Sequence, residues 1–138
     1  MSNYVPKDLL FDNEGREKLI SGISKISKAV KSTLGPRGKT VLIESSNHTQ
    51  GITITKDGVT VAESISLIDP VENLAITMMK DAARRTANSA GDGTTTAIVL
   101  TEALVKAGEK FLKPEHNITE VVKSIKVITD KVVSSLEH

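Results

Sequence analysis

Gly91-Asp92-Gly93-Thr94-Thr95-Thr96 separates two helical patterns, 71–90 before it and 97–112 after it. Gly91 can supply the positive φ that ends a helix. Asp92 is placed to cap the next helix, its carboxylate accepting from a free backbone N–H. Gly93 lets the chain come close to a ligand, and three hydroxyls follow in the first turn. First-turn N–H groups have no partner inside the helix and sit at the positive end of its dipole, which suits a phosphate. A carboxylate beside a phosphate needs a cation between them, and Mg²⁺ takes oxygen ligands of both kinds. The hexapeptide therefore reads either as a Mg-nucleotide site or as a tight helix–helix turn with a good cap. Alone, it does not choose between them.

The flanking sequence is mainly helical. Leu19, Ile23, Ile26, Val30 and Leu34 recur at spacings of four and three, which predicts a helix from Asn13 ended by Gly35-Pro36. Lys18, Lys25, Lys28 and Lys31 lie off that stripe and read as a solvated face. Asp69-Pro70 opens the helix before the central stretch, with Pro70 where a missing N–H costs nothing. Its expected stripe is Val71, Ala75, Met78 and Ala82, with Arg84 and Arg85 solvated. After the hexapeptide, Ala97, Leu100, Leu104, Ala107 and Phe111 share one face. A last helix, capped by Asn117 or Thr119, carries Ile118, Val121, Val122, Ile125, Ile128 and Val132. Both of these read as core helices.

Between the first two helices the period changes. GPRGKT at 35–40 is not a P-loop, which has four residues between its first glycine and the Gly-Lys pair and a helix directly after. Here there are two, and Thr40-Val41-Leu42-Ile43 follows, a β-branched apolar run. Ile52-Thr53-Ile54-Thr55 alternates apolar and hydroxyl side chains. The two runs predict one β-hairpin, which needs covering helices or a strand added from a neighbouring chain. Lys56-Asp57-Gly58 closes it, and a short helix over 59–65 is the simplest continuation.

The totals bound what the chain can do. Its 138 residues are about one domain's worth. Apolar residues make up 38% and aromatics 2%, so the core must be built from Ile, Val, Leu, Ala and Met. A formal net charge of +1 offers no pull toward nucleic acid or an acidic membrane, and the scarcity of rings removes the stacking platforms of single-strand binders. With no cysteine there is no disulfide or thiolate metal site, which fits a reducing, cytoplasmic setting. His48, His116 and His138 show no metal-ligand spacing. MSNYVPKDLLFDNEG has no apolar core of a secretory signal, and no apolar run is long enough to span a bilayer. Leu136-Glu137-His138 reads as a possible remnant of a cloning scar and histidine tag.

Three pieces stand together: TLGPRGKT at 33–40, ITKDGVTVA at 54–62 and AGDGTTTAIVL at 90–100. In this order and separation they resemble the group I (GroEL-type) chaperonins, from about residue 12 to about residue 135. Lys56 before Asp57-Gly58 resembles group I rather than the archaeal and eukaryotic cytosolic group, which usually has Asn there. The resemblance implies a mainly α fold, a multi-helical fragment of the chaperonin equatorial domain with one small β-hairpin. Residues 1–135 would be the N-terminal half of that ATP-binding domain, with 136–138 the tag remnant.

The resemblance also implies a site for ATP and Mg²⁺. Thr33, Leu34, Gly35, Pro36, Lys56, Asp92, Gly93, Thr94, Thr95 and Thr96 would bind the nucleotide. Asp92 would hold Mg²⁺, and Asp57 would lie near the γ-phosphate in a supporting catalytic role. The main catalytic carboxylate, the adenine pocket and the client-binding apical domain would come from later sequence. The parent would be an ATPase that folds proteins in a homo-oligomeric ring, meeting non-native clients and a co-chaperonin through domains absent here. Whether this chain alone turns ATP over is left open. The hairpin tip, 45–51, reads as slightly longer and more polar than the family's. The competing expectation is a stand-alone helical oligomerisation or interaction module with the chaperonin fold and no ATPase activity.

Overall fold

The computed structural model describes residues 9–44, 51–113 and 115–137. Along these residues the order is α1 (Asp12–Lys31), β1 (Val41–Glu44), β2 (Ile52–Thr55), α2 (Gly58–Ser64), α3 (Pro70–Ala90), α4 (Thr94–Phe111) and α5 (Ile118–Leu136). This is the mainly helical fold with one small hairpin that the sequence predicts. The strands pair antiparallel, with Val41 opposite Thr55, Leu42 opposite Ile54, Ile43 opposite Thr53 and Glu44 opposite Ile52. The expected features of the tip at 45–50 lie outside the described residues.

The chain divides into two compact units, 1–106 and 107–138. In the first, α1 packs on α3 and α2, and α2 also meets β1. Ile26 and Val30 of α1, Ala62 of α2, Ile76, Met79 and Ala83 of α3 and Ile98 of α4 form the core. Ile23, Ile65 and Leu67 pack against it. Leu34, expected to continue the stripe of α1, lies beyond the helix and is exposed.

The buried face of α3 differs from the expected stripe. Ala75 is on it, but Ile76, Met79 and Ala83 take the places expected for Met78 and Ala82, and Met78 is 62% exposed. Adjacent residues are rotated by roughly 100° on a helix, so Met78-Met79 offers two faces of similar apolarity. The contact at Gly22 selects one. A Cβ built there would lie 2.4 Å from the Glu72 carbonyl oxygen, so the backbones of α1 and α3 nearly touch. That approach settles which side of α3 faces α1.

Three of the lysines expected to be solvated are tethers. Lys18 pairs with Asp69 at 2.9 Å, Lys25 pairs with Glu72, and Lys31 pairs with Glu102. Arg84, also expected to be solvated, grips both carboxylate oxygens of Glu63 at 2.8 and 2.6 Å. Lys80 donates to the carbonyls of Glu63 and Ile65, satisfying acceptors at the end of α2. These bonds hold the Asp69, Glu72 and Glu63 carboxyls below their ordinary pKa, through Lys18, Lys25 and Arg84 respectively. A depressed carboxyl stabilises the fold above its unfolded pKa, and that contribution disappears as pH falls through the folded value. Melting temperature should therefore hold steady from neutral pH down to about pH 5 and drop below about pH 4. Melts recorded across that range check this; a rise toward pH 3 would contradict it.

In α4 the buried positions are Thr94, Ile98 and Glu102, whereas Leu100 and Leu104, on the face expected to be core, are exposed. This helix is apolar on more than one side, so periodicity alone could not orient it. The second unit holds the end of α4 and α5. Asn117 caps α5, accepting from the N–H groups of Thr119 and Glu120. No residue of α5 is buried: Val121 is half-buried, while Ile118, Val122, Ile125, Ile128 and Val132 are exposed, so the expected core role is not seen among the described residues.

Candidate functional site

The sequence after α1 closes on itself. The N–H of Lys39 donates to the Ser32 carbonyl at 2.7 Å, and that of Gly38 to Gly35 at 2.9 Å. Gly35 takes a φ of 77°, and a Cβ on Gly38 would lie 2.2 Å from the Thr33 carbonyl oxygen. The turn is therefore held tight by its glycines. Within it, Thr33 Oγ1 donates to the Val30 carbonyl at 2.8 Å, and Leu34, Gly35 and Pro36 are exposed.

At the second turn Asp57 is the N-cap of α2. Its carboxylate accepts from the N–H groups of Val59 and Thr60 and from the Thr60 hydroxyl at 2.5 Å. The Thr60 hydroxyl, followed by its N–H, pulls the Asp57 pKa below the usual carboxylate value. Lys56 beside it is exposed.

The third turn runs from Gly91 to Thr94. Gly91 ends α3 in the left-handed region at φ 76°, as the sequence predicts. Asp92 is not the cap of α4, contrary to expectation. That position belongs to Gly93 (φ 89°), whose carbonyl accepts from Ala97 at 2.8 Å. The Asp92 carboxylate instead accepts from the Gly93 N–H at 2.6 Å. Glycine is itself an accepted N-cap, and one residue's shift suffices for the difference. As a result, no side-chain oxygen among the described residues caps the first-turn N–H groups of Thr94, Thr95 and Thr96, and no acidic residue lies in that turn.

The three turns meet at Gly58. A Cβ on Gly58 would lie 2.3 Å from Thr95 Oγ1 and 3.1 Å from Thr33 Oγ1. Residues more than twenty positions apart thus bring two hydroxyls against one bare α-carbon. Lys56 is two residues from this point, so its α-carbon lies within about 7.6 Å of it; Asp92 is three residues from Thr95 and lies within about 11.4 Å of its α-carbon. Gly58 was legible only as the end of a KDG turn, and its part in joining the three segments was not.

The donor set fits a nucleotide phosphate with Mg²⁺. Uncapped N–H groups, hydroxyls and a lysine suit phosphate oxygens. Among the described residues no three His, Cys, Asp or Glu side chains cluster as a metal cage. Mg²⁺ commonly binds through one or two carboxylates with phosphate and water, and Asp92 is the carboxylate that would serve.

Comparisons with known proteins place the chain in a family. The profile of the TCP-1/cpn60 chaperonin family matches residues 26–138. Two crystal structures of the chaperonin gp146 from the bacteriophage EL of Pseudomonas aeruginosa, both in presence of ATP-BeFx, are similar at 35% identity. One has a TM-score of 0.68 over 80% of this chain and 20% of gp146; the other, 0.67 over 74% and 18%. The chain therefore spans about a fifth of the length of the protein it matches. With five helices and a two-stranded sheet among the described residues, matching the fold of a chaperonin equatorial-domain fragment, and with the profile covering most of its length, this chain belongs to the TCP-1/cpn60 chaperonin family.

Proposed function

We propose that this chain supplies part of the Mg-ATP site of a chaperonin, which assists protein folding by binding and hydrolysing ATP in the equatorial domain of a ring. The observation that carries the reading is the meeting of Thr33, Gly58 and Thr95, which unites the three motif turns. The presence of ATP-BeFx in the gp146 crystals supports it. Thr94, Thr95 and Thr96 would offer N–H and hydroxyl donors to the phosphates, Lys56 a mobile cation, and the Thr33–Pro36 turn a second wall. Asp92, released from capping, would hold Mg²⁺, which supplies charge neutralisation when bound. Asp57 already accepts three hydrogen bonds and would serve mainly by holding the start of α2 in place.

On this reading residues 1–135 form the N-terminal half of the equatorial domain. The main catalytic carboxylate lies elsewhere, so the chain binds nucleotide weakly and turns it over negligibly. Titration with Mg-ATP should shift the amides of Gly93 to Thr96, with a Kd on the order of millimolar. Asp92→Ala should remove the Mg²⁺ dependence of those shifts. Undisturbed amides at saturating nucleotide would reject the site. The exposed apolar stripe of α5 favours a second reading, an interaction module without chemistry. In that case Asp92→Ala would change nothing.

A further inference from the structure

We infer that Glu102 is a positioning residue for the nucleotide turns, acting through Lys31; this rests on the Mg-ATP reading above. Glu102 is the charged member of the buried face of α4, its side chain only 5% exposed. Buried carboxylates are costly unless paired, and this one is paired twice. Lys106, one turn further along the same helix, approaches at 2.7 Å, and Lys31 reaches it from α1. Burial by itself would raise the Glu102 pKa; the hydrogen bonds from Lys106 and Lys31 more than offset this, and the carboxyl stays below its ordinary value.

The two lysines do different work. Lys106 belongs to α4 and cannot fix that helix against anything else. Lys31 is the last residue of α1, two positions before Thr33. Thr95 and Glu102 are seven residues apart, and seven residues on a helix return to nearly the same face, about 10.5 Å along the axis. Ile98 lies between them, buried in the core with Ile26 and Val30. Along one face, α4 is therefore held at Thr95 by the junction with Gly58 and Thr33, at Ile98 by the core, and at Glu102 by Lys31. Contact at one end leaves a rod free to pivot. The polar anchor at the other end sets how the first turn of α4 meets the Thr33 turn.

The test compares variants that delete one ion pair of this carboxylate, Lys31→Met and Lys106→Met, with one that deletes both, Glu102→Gln. In the full chain, Lys31→Met and Glu102→Gln should weaken Mg-ATP binding roughly tenfold, whereas Lys106→Met should stay within about twofold of the parent. Binding is read from the Gly93 amide, below the melting temperature of every variant. Equal losses in Lys31→Met and Lys106→Met would overturn the inference, since charge alone would then explain them. A second readout needs no nucleotide: proton contacts between Gly58 Hα and the Thr95 side chain, whose Oγ1 and Cβ would lie 2.3 and 3.4 Å from a Cβ on Gly58. These should weaken in Lys31→Met and Glu102→Gln and persist in Lys106→Met. Were the parent chain not to bind Mg-ATP, the nucleotide reading would fall. The Gly58–Thr95 contacts would still decide the anchoring, and their persistence in Lys31→Met would overturn it.

Discussion

Gly58→Val should produce a chain that folds but loses Mg-nucleotide binding by roughly a hundredfold, equivalent to the loss of one or two hydrogen bonds to a charged group. Gly58 is the first residue of α2, and its φ is not in the left-handed region, so backbone conformation is not the constraint. Space is. The added Cβ would sit 2.3 Å from the Thr95 hydroxyl and 3.4 Å from its Cβ, with the Thr33 hydroxyl at 3.1 Å. Threonine is stiff at χ1, so the Thr95 hydroxyl has few places to go without leaving the junction. The valine methyls add to this and drive α2 away from α4.

The cause can be isolated with a smaller change. Gly58→Ala alone should destabilise by about 1–2 kcal/mol through the same overlap. Adding Thr95→Ala removes the atom at 2.3 Å and should restore most of that stability. Coupling of about 1 kcal/mol is the expected size for two groups in direct contact. Nucleotide binding should not return in the double variant, because the hydroxyl proposed to meet the phosphate is gone. A Gly58→Val chain that bound Mg-ATP like the parent would separate the meeting of the turns from any function.

Gly22→Val should be the most destabilising single change in α1, costing about 3 kcal/mol and lowering the melting temperature by roughly 10 °C. The overlap there is with main chain: 2.4 Å from the Glu72 carbonyl oxygen and 3.0 Å from its carbonyl carbon and Cα. Main chain cannot rotate away, so α1 and α3 must separate. That would loosen the packing of Ile26 and Val30 against Ile76 and Met79 and strain the Lys25–Glu72 pair. Gly15→Ala in the same helix is the control. Its Cβ would find Leu10 at 3.7 Å, an ordinary contact. With no clash, replacing a helical glycine should stabilise by about 0.5–1 kcal/mol. Urea melts of both variants read the opposite signs; a neutral Gly22→Val would mean that the two helices are not held so close.

The turns and helix ends were more legible than the packing around them. Gly91 ending α3 and Asp69-Pro70 opening it are local events, decided within a turn of chain, and sequence reading found both; it narrowed the cap of α5 to Asn117 or Thr119, of which Asn117 serves. The strand pairing followed from a period of two against 3.6. Asp92 was misplaced by one position, because Asp and Gly both cap and only the chain path chooses between them. The face of α3 was also displaced, from Met78 to Met79, and α4 was turned wholly around. An isolated glutamate in the apolar run 97–105 was the available signal for the latter, since a charge there implies a partner.

By itself, the sequence determined the helices, the hairpin, the glycine turns and the chemical character of their donors. Each depends on residues within a few positions of one another, where backbone sterics and capping dominate. Only the tertiary structure decided which helix faces were buried, which lysines found carboxylates, and that Thr33, Gly58 and Thr95 touch. Those outcomes turn on the close approach at Gly22 and on the bare α-carbon of Gly58. Both are contacts between distant segments, whose distance no local pattern encodes.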